Sequence, residues 1–384
     1  MEQNQNNPDH AAPKKKHLKD PFLRRQVTCP ICENAVEQIG LKTNLFRAQH
    51  KDVDRRPYGY RWEQENLAKF HPPFFYVWHC PKCYFSAGRK YYEDPLKDCF
   101  LTLRKFKETI ETKYKTDPAA KKIINKLTEG IAADNFCFKQ AFQLHLLAIY
   151  WAELFPELAK RDAMNLARYY LRVAWLFRDL SENESAKAAE GPAIQAFFSD
   201  MKTVWPDVTD SDEGALRKAA AYYEVTLGNS EMISNAVDQL NVLLIVAQVY
   251  LKLADLKPAL DALTSAVTGG TRSKQEIDTS LRTPQRDAEN QLSEKDKQDL
   301  AQQSVDLRGL IDRARNMLDK VKEDWLAEQT AKAKEIMSAN KGKTRTQLRQ
   351  ILEAQSIEPR VVNRLLPVEQ VQQKKGFLAS ILGG

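Results

Sequence analysis

Cys29-Pro30-Ile31-Cys32 and Cys80-Pro81-Lys82-Cys83 are the residues of this chain best suited to chemistry. Each C-P-x-C places two thiolates on a tight turn whose backbone amides can bond to sulfur, and two such turns supply the four soft ligands of a tetrahedral metal cage. Pro30 and Pro81 stiffen the turns at matching positions, so coincidence is a poor explanation in a chain with 6 cysteines. The pattern points to structural zinc held by Cys29, Cys32, Cys80 and Cys83. Rubredoxin-like iron uses similar turns and is the alternative ion, and a pair of redox-active dithiols is a further reading. A complete thiolate set leaves His50, His71 and His79 no vacancy. It also leaves no open position for a substrate, so the metal is not expected to be catalytic. Glu33 and Tyr84 follow the knuckles where ribbons usually carry Gly, which predicts less regular turns. Cys99 and Cys137 stand in helical contexts and read as buried apolar residues.

The pairs are 47 residues apart, against about 15 to 20 in common zinc fingers, so a long insertion must emerge between the knuckles. It contains Arg55-Arg56-Pro57-Tyr58-Gly59-Tyr60-Arg61-Trp62. Basic residues interleaved with aromatics suit phosphate neutralisation and base stacking, which gives a nucleic-acid reading through Arg55, Arg56, Arg61 and a basic tail. The plainer reading is that Tyr58, Tyr60, Trp62, Phe74, Tyr76 and Trp78 bury area around the metal in a module with little core. It is preferred because no long basic run is present. Asp52 with Asp54, and Asp210 with Asp212 and Glu213, read as solvated loop residues and helix starts. Gly342-Lys343-Thr344 looks like the end of a phosphate loop, but Met337 stands where the first Gly must be. No dinucleotide fingerprint, H-E-x-x-H helix or nucleophile elbow occurs, and the chain is not expected to be an enzyme.

The elements that must position the cysteines follow from composition. Lys plus Arg total 58 and Asp plus Glu 51, a balance too even to declare a nucleic-acid binder on charge alone. The few cysteines, most of them in C-P-x-C pairs, indicate a reducing compartment, and no apolar run reaches the roughly 18 residues of a membrane span. The expected location is cytoplasmic. Residues 1–22 are polar and read as a disordered arm. Residues 23–95 carry both knuckles and an aromatic, β-branched run, and form a small β-rich, zinc-ribbon-like module. Residues 96–267 show apolar spacings of three and four, broken at Asp117-Pro118, Gly130, Phe155-Pro156, Gly191-Pro192, Trp205-Pro206, Gly228 and Lys257-Pro258.

This helical region is tetratricopeptide-like. Leu243, Val246, Ala247, Tyr250, Ala259, Leu263 and Ala266 fall at the consensus spacing of that repeat. A weaker copy holds Tyr170, Val173, Ala174, Phe177, Ala186 and Ala193, and the group Leu216, Ala219, Ala220 and Tyr223 fits only a first helix. Residues 268–292 read as a linker. Ser293-Glu-Lys-Asp296 resembles a helix start, and Leu300, Leu307, Ala314 and Val321 recur every seven residues with Leu310 and Met317 between them. That predicts a long helix over 293–340 with a short coiled-coil seam, which Gln303 and Asp324 interrupt. Residues 341–384 form a basic tail ending in a hydrophobic hook of Phe377, Leu378, Ile381 and Leu382. The hook suits a partner groove, the protein's own helices or weak contact with a membrane surface.

The stretch from Cys29-Pro-Ile-Cys32 through Asp52-Val-Asp54-Arg55-Arg56-Pro57-Tyr58 to Tyr76-Val-Trp78-His-Cys80-Pro-Lys-Cys83-Tyr84-Phe85-Ser86-Ala87 resembles a bacterial family, domain of unknown function 2225. The resemblance covers residues 29 to about 90 closely and the helices to about 267 loosely. It implies a four-cysteine, ribbon-like module joined to tetratricopeptide-like helices and implies no activity. Together these readings describe a mainly α protein with a zinc-containing N-terminal module, expected to act as an adaptor for protein partners.

Overall fold

The computed structural model describes residues 20–93, 98–229, 233, 235–282 and 293–367. Three antiparallel hairpins come first. Strands β1 (Phe22–Thr28) and β2 (Ala35–Leu41) pair from Phe22 opposite Leu41 to Thr28 opposite Ala35. Strands β3 (Phe46–Lys51) and β4 (Pro57–Trp62) form the second hairpin, and β5 (Val77–His79) and β6 (Ser86–Gly88) the third. The first knuckle is the turn of the first hairpin and the second knuckle the turn of the third. Two-stranded hairpins are marginal alone. These lean on short 3-10 turns, among them Pro72–Phe75, and on the helices that follow.

The helices are α1 (Lys90–Glu93), α2 (Asp98–Thr116), α3 (Pro118–Thr128), α4 (Phe138–Glu153), α5 (Pro156–Arg161), α6 (Ala163–Glu182), α7 (Glu184–Val204), α8 (Asp212–Leu227), α9 (Ala236–Lys252), α10 (Leu256–Arg282), α11 (Glu294–Ala339), α12 (Arg345–Ala354) and α13 (Pro359–Leu365). The chain divides into two compact units, 1–222 and 223–384. In the first, α4 is the central post. Its sequence FKQAFQLHLLAIYWAE is apolar on nearly every side, and a helix of that kind has to be enclosed. Helices α3, α6 and α7, strands β5 and β6 and the Pro72–Phe75 turn surround it. The zinc-ribbon-like module is therefore built into the first unit's core. The expected break at Asp117-Pro118 is the start of α3, where Asp117 accepts from the Ala119 and Ala120 amides with Pro118 at the first position.

The second unit is organised by α9, α10 and α11 packed side by side. Val246, Ala247, Ala259, Leu263 and Ala266 are buried between α9 and α10, matching the repeat spacing, while Leu243 and Tyr250 are half-buried. In the weaker copy Tyr170, Val173 and Ala174 are buried, but Ala186 is half-buried and Ala193 exposed. Ile194, Phe197, Phe198 and Met201 form the inner face of α7 instead. Leu216, Ala219, Ala220 and Tyr223 are all buried.

Several boundaries differ from the sequence reading. Residues 1–19 and the hook residues Phe377, Leu378, Ile381 and Leu382 lie outside the described residues, whereas Phe22 already belongs to β1. Helix α7 runs through Gly191-Pro192 without a break; that stretch is largely solvent-facing, so the hydrogen bond Pro192 forgoes need not stay unsatisfied in a dry core. Residues 268–282, read as linker, continue α10. The polar composition there misleads because α10 shows only one face to α11. Gly270 sits at their closest approach: a Cβ there would stand 2.9 Å from Ile311 Cγ1 and 3.0 Å from Leu240 Cδ2.

The neighbouring Gly269 meets nothing within 4 Å. Gly270→Val is therefore expected to cost ~1–3 kcal/mol by overpacking. Gly269→Ala should stabilise by ~0.5–1 kcal/mol through helix propensity. Urea unfolding of the two variants checks both signs.

Helix α11 is 46 residues long and starts in a capping box between Ser293 and Asp296, as predicted. Leu307, Ile311, Ala314 and Val321 are among its buried positions, in the stretch that packs on α9 and α10 of the same chain. The heptad seam thus closes within the molecule, with Ile311 taking the buried place expected of Leu310. Residues 341–367 of the basic tail are largely helical: α12 and α13 fold onto the end of α11 around Ala333, Leu352, Ile357, Val361, Val362 and Leu366.

Candidate metal centre

The two knuckles are near copies of one another. The Cys29 amide donates to Asn34 O at 2.9 Å and the Cys80 amide to Phe85 O at 2.9 Å. The amides of Glu33 and Tyr84 donate back to Cys29 O at 3.0 Å and Cys80 O at 2.8 Å. Both residues adopt left-handed backbone, with φ of 58° and 63°. That is the conformation Gly adopts without penalty, and a side chain there costs on the order of 1 kcal/mol. The turns are therefore regular, and the departure from Gly appears as local strain. Other contacts hold it in place: Trp151 Nε1 donates to Tyr84 O at 2.8 Å, the Tyr84 ring packs on Tyr114, and Lys107 pairs with Glu33.

All four Sγ atoms lie within 4.8 Å of one another. Cys29 Sγ to Cys83 Sγ and Cys32 Sγ to Cys80 Sγ are both 3.6 Å. A tetrahedron of metal–sulfur bonds about 2.3 Å long has edges of about 3.8 Å, so the donor set fits such an ion. Cys29 and Cys80 are fully buried. Backbone amides of Ile31 and Cys32 bond to the Cys29 sulfur, those of Lys82 and Cys83 bond to the Cys80 sulfur, and Asn34 Nδ2 approaches Cys32 Sγ at 3.1 Å.

The thiols share hydrogen bonds, and these dominate their acidity. Bonds from Cys29 and Cys83 hold Cys80 far below the usual thiol range; the same sharing drives Cys83 far above it, and the bond to Cys80 pushes Cys29 up to about 12. A bound metal ion supplies the charge that lets all four ionise.

None of the histidines joins the cluster among the described residues. His50 is exposed, and His71 Nε2 lies 2.7 Å from Asp179 Oδ2. His79 is held down to about 4 by burial, with Nδ1 2.8 Å from Ser86 Oγ. Cys137 is half-buried at the N-cap of α4. Beside the second knuckle lies a cavity of about 360 Å³ whose lining includes His79, Pro81, Tyr84, Phe136 and Gln140. Its amide side chains are already engaged: Gln38 Nε2 donates to His79 O at 2.7 Å and Gln140 Nε2 to Ala132 O at 2.9 Å.

The insertion between the knuckles has a task that the sequence reading missed. The turn joining β3 to β4 inserts Asp52, Asp54 and Arg56 against one face of α6, formed by Trp175, Arg178, Asp179 and Glu182 at helical spacing. Asp54 is 0% exposed and is held by both Nη atoms of Arg178, with Trp175 Nε1 at 3.0 Å. Arg178 Nη1 also reaches Asp52 at 2.9 Å, and its Nε reaches Asp212 at 3.2 Å. Arg56, 4% exposed, donates to Asp179 at 3.0 Å and to both oxygens of Glu182 at 2.9 and 2.6 Å.

Asp52 and Asp54 are thus network anchors, which corrects their reading as solvated. Of the arginines offered to nucleic acid, Arg56 is buried among carboxylates, Arg55 is half-buried in left-handed backbone with φ 66°, and Arg61 is exposed. Arg56 is withdrawn from phosphate by its three carboxylate partners, Asp52, Asp179 and Glu182. The signal available in the sequence was the pairing of an acidic-basic turn, D-V-D-R-R, with an R-D-x-x-E face on α6.

His145 on α4 offers a titration test of the same core. It is fully buried, its Nδ1 donates to Ala141 O at 2.8 Å, and burial, with a smaller contribution from the Arg172 charge, lowers its pKa from 6.5 to about 3. A neutral buried histidine means that the unfolded chain binds the extra proton between those values. Stability from this group is complete above about pH 6.5 and declines as pH falls. Between pH 6.5 and 5.0 the loss is about 1.5 kcal/mol. His145→Leu is expected to remove that part of the slope, as measured by denaturant unfolding at the two pH values.

No helix among the described residues is long and apolar enough to cross a membrane. The chain belongs to the family described as "Uncharacterized protein conserved in bacteria (DUF2225)", which matches residues 22–290. No curated protein and no solved structure matches it.

Proposed function

We propose that this DUF2225 member is a cytoplasmic adaptor in which one zinc ion staples the first and third N-terminal hairpins to each other beside a helical body, and the helix faces hold a protein partner. The observation that carries the reading is the closed four-thiolate set, whose geometry leaves a metal no position for substrate. The engaged amides of the neighbouring cavity support a structural role for the same region. Zinc is preferred to iron because it forms such sites without a redox function, and nothing in the surroundings calls for electron transfer. Stacked helix hairpins such as α9–α10 commonly serve as peptide-binding faces.

Affinity capture from the native bacterium tests the reading, using the full chain and a version ending at Pro367. A cut at Gly269 is unsuitable because it severs α10. A stoichiometric protein retained by both versions supports binding on the helix faces. Loss from the shorter version alone assigns it to the tail that contains Phe377, Leu378, Ile381 and Leu382. Absence of any stoichiometric protein, together with turnover of a small molecule by the purified chain, would sink the adaptor reading.

A further inference from the structure

The C-terminal end of the second unit lies beyond the residues matched by the family, and its local geometry is independent of the metal site. Helix α12 begins in a capping box in which Thr344 Oγ1 accepts from the Gln347 amide at 3.3 Å and Gln347 Oε1 accepts from the Thr344 amide at 3.0 Å. It ends in a Schellman motif: the Ile357 amide donates to Leu352 O at 3.1 Å and the Ser356 amide to Glu353 O at 3.0 Å, with Ser356 left-handed at φ 57°. Four residues, Gln355 to Glu358, then connect to α13, which starts at Pro359. A turn of that length with one left-handed residue is what joins the two helices of a helix-turn-helix unit, the second helix of which enters the major groove of DNA.

The packing agrees with that pattern. Leu352, Ile357 and Val362 are buried at the helix end, the turn and the second helix, and Ala333 of α11 closes the core as a third helix. Arg349 ties α13 to α12 by bonding Leu366 O at 3.2 Å and Asn363 Oδ1. The outward face of α13 carries Arg360 and Arg364, one helical turn apart and exposed. Among the described residues neither has a carboxylate partner. Lys341 and Lys343, exposed in the turn before α12, add charge where a flanking strand of phosphates would run. Residues 341–367 hold 6 basic side chains against Glu353 and Glu358. That local excess is concentrated here although the chain as a whole is only +7.

We infer that α12, its four-residue turn and α13 form a helix-turn-helix unit that docks double-stranded DNA, with Arg360 and Arg364 on the groove-facing side and Lys341 and Lys343 against the backbone. The site owes nothing to Arg55, Arg56 or Arg61. Charge complementarity favours a duplex, since the exposed face has arginines at groove-reading spacing and no aromatic platform of the kind single strands stack upon.

Fluorescence anisotropy of a labelled random-sequence duplex of about 20 base pairs, titrated with the full chain at several salt concentrations from ~50 mM, tests the inference. Saturable binding that weakens steeply with salt is expected. Arg360→Gln with Arg364→Gln should weaken it at least tenfold. Arg360→Lys with Arg364→Lys should keep most of the non-specific affinity, and Lys341→Gln with Lys343→Gln should weaken binding without touching either helix. Arg61→Gln should leave it unchanged. Any of three results overturns the inference: no saturable duplex binding at low salt, equal binding by all these variants, or tighter binding of single-stranded DNA or RNA than of the duplex.

Discussion

Cys80→Ser is expected to abolish stoichiometric metal binding and to lower the thermal midpoint of the first unit by at least about 10 °C. The free energy released by a structural zinc ion at neutral pH is ~10–16 kcal/mol, comparable with or larger than the whole stability of a domain. Removal of one thiolate forfeits several kcal/mol of it, and each kcal/mol corresponds to ~2–4 °C in a unit of this size. Two-stranded hairpins are marginal by themselves. The N-terminal hairpins hold two strands each, and the knuckles that turn the first and third carry strained left-handed residues at Glu33 and Tyr84. Chelation of the native protein should reproduce the shift. The expected signature is loss of aromatic near-ultraviolet circular dichroism, because Trp78, Phe85 and Tyr92 are buried beside the site. Far-ultraviolet helicity should fall much less, since α4, α6 and α7 bury apolar faces against one another.

Arg178→Ala should be the most damaging change away from the cysteines. The substitution strands Asp54 with no exposed surface and removes a partner of Asp52 and Asp212. Breaking a buried pair by deleting one member costs ~3–5 kcal/mol, because the remaining carboxylate has no compensating positive charge and keeps only the Trp175 Nε1 donor. Arg178→Lys should recover less than half, since an ammonium cannot reproduce the fork that grips both oxygens of Asp54. Arg61→Ala, exposed on β4, is the control and should lie within about 0.5 kcal/mol of the native chain. Urea unfolding with saturating metal measures the three variants. A loss under 1 kcal/mol for Arg178→Ala would mean that the turn between β3 and β4 does not pin the module to α6.

The cysteine site was legible because its chemistry is local: each C-P-x-C carries its own turn, and only the distance between the pairs required the fold. The helix start at Ser293 and the break at Asp117-Pro118 were legible for the same reason, since a cap is decided within four residues. What the sequence concealed depends on partners far along the chain. Asp54 looks like a solvated loop acid until Arg178, 124 residues later, is brought beside it. Gly269 and Gly270 look like linker until Ile311 and Leu240 make one of them a packing requirement. The heptad positions on α11 were recognisable, but periodicity does not say whose helix fills the seam, and here it is the same chain's. Residues 341–367 read as a charged tail because their apolar positions, such as Leu352, Ile357 and Val362, are few and acquire meaning only against α11.

The most direct test is elemental analysis of the anaerobically purified, reduced chain combined with X-ray absorption at the metal edge. The account predicts one zinc per chain in a shell of four sulfur atoms at about 2.3 Å. A metal-free, folded protein whose Cys29, Cys32, Cys80 and Cys83 react freely with thiol reagents, or a shell containing nitrogen or oxygen, would contradict it.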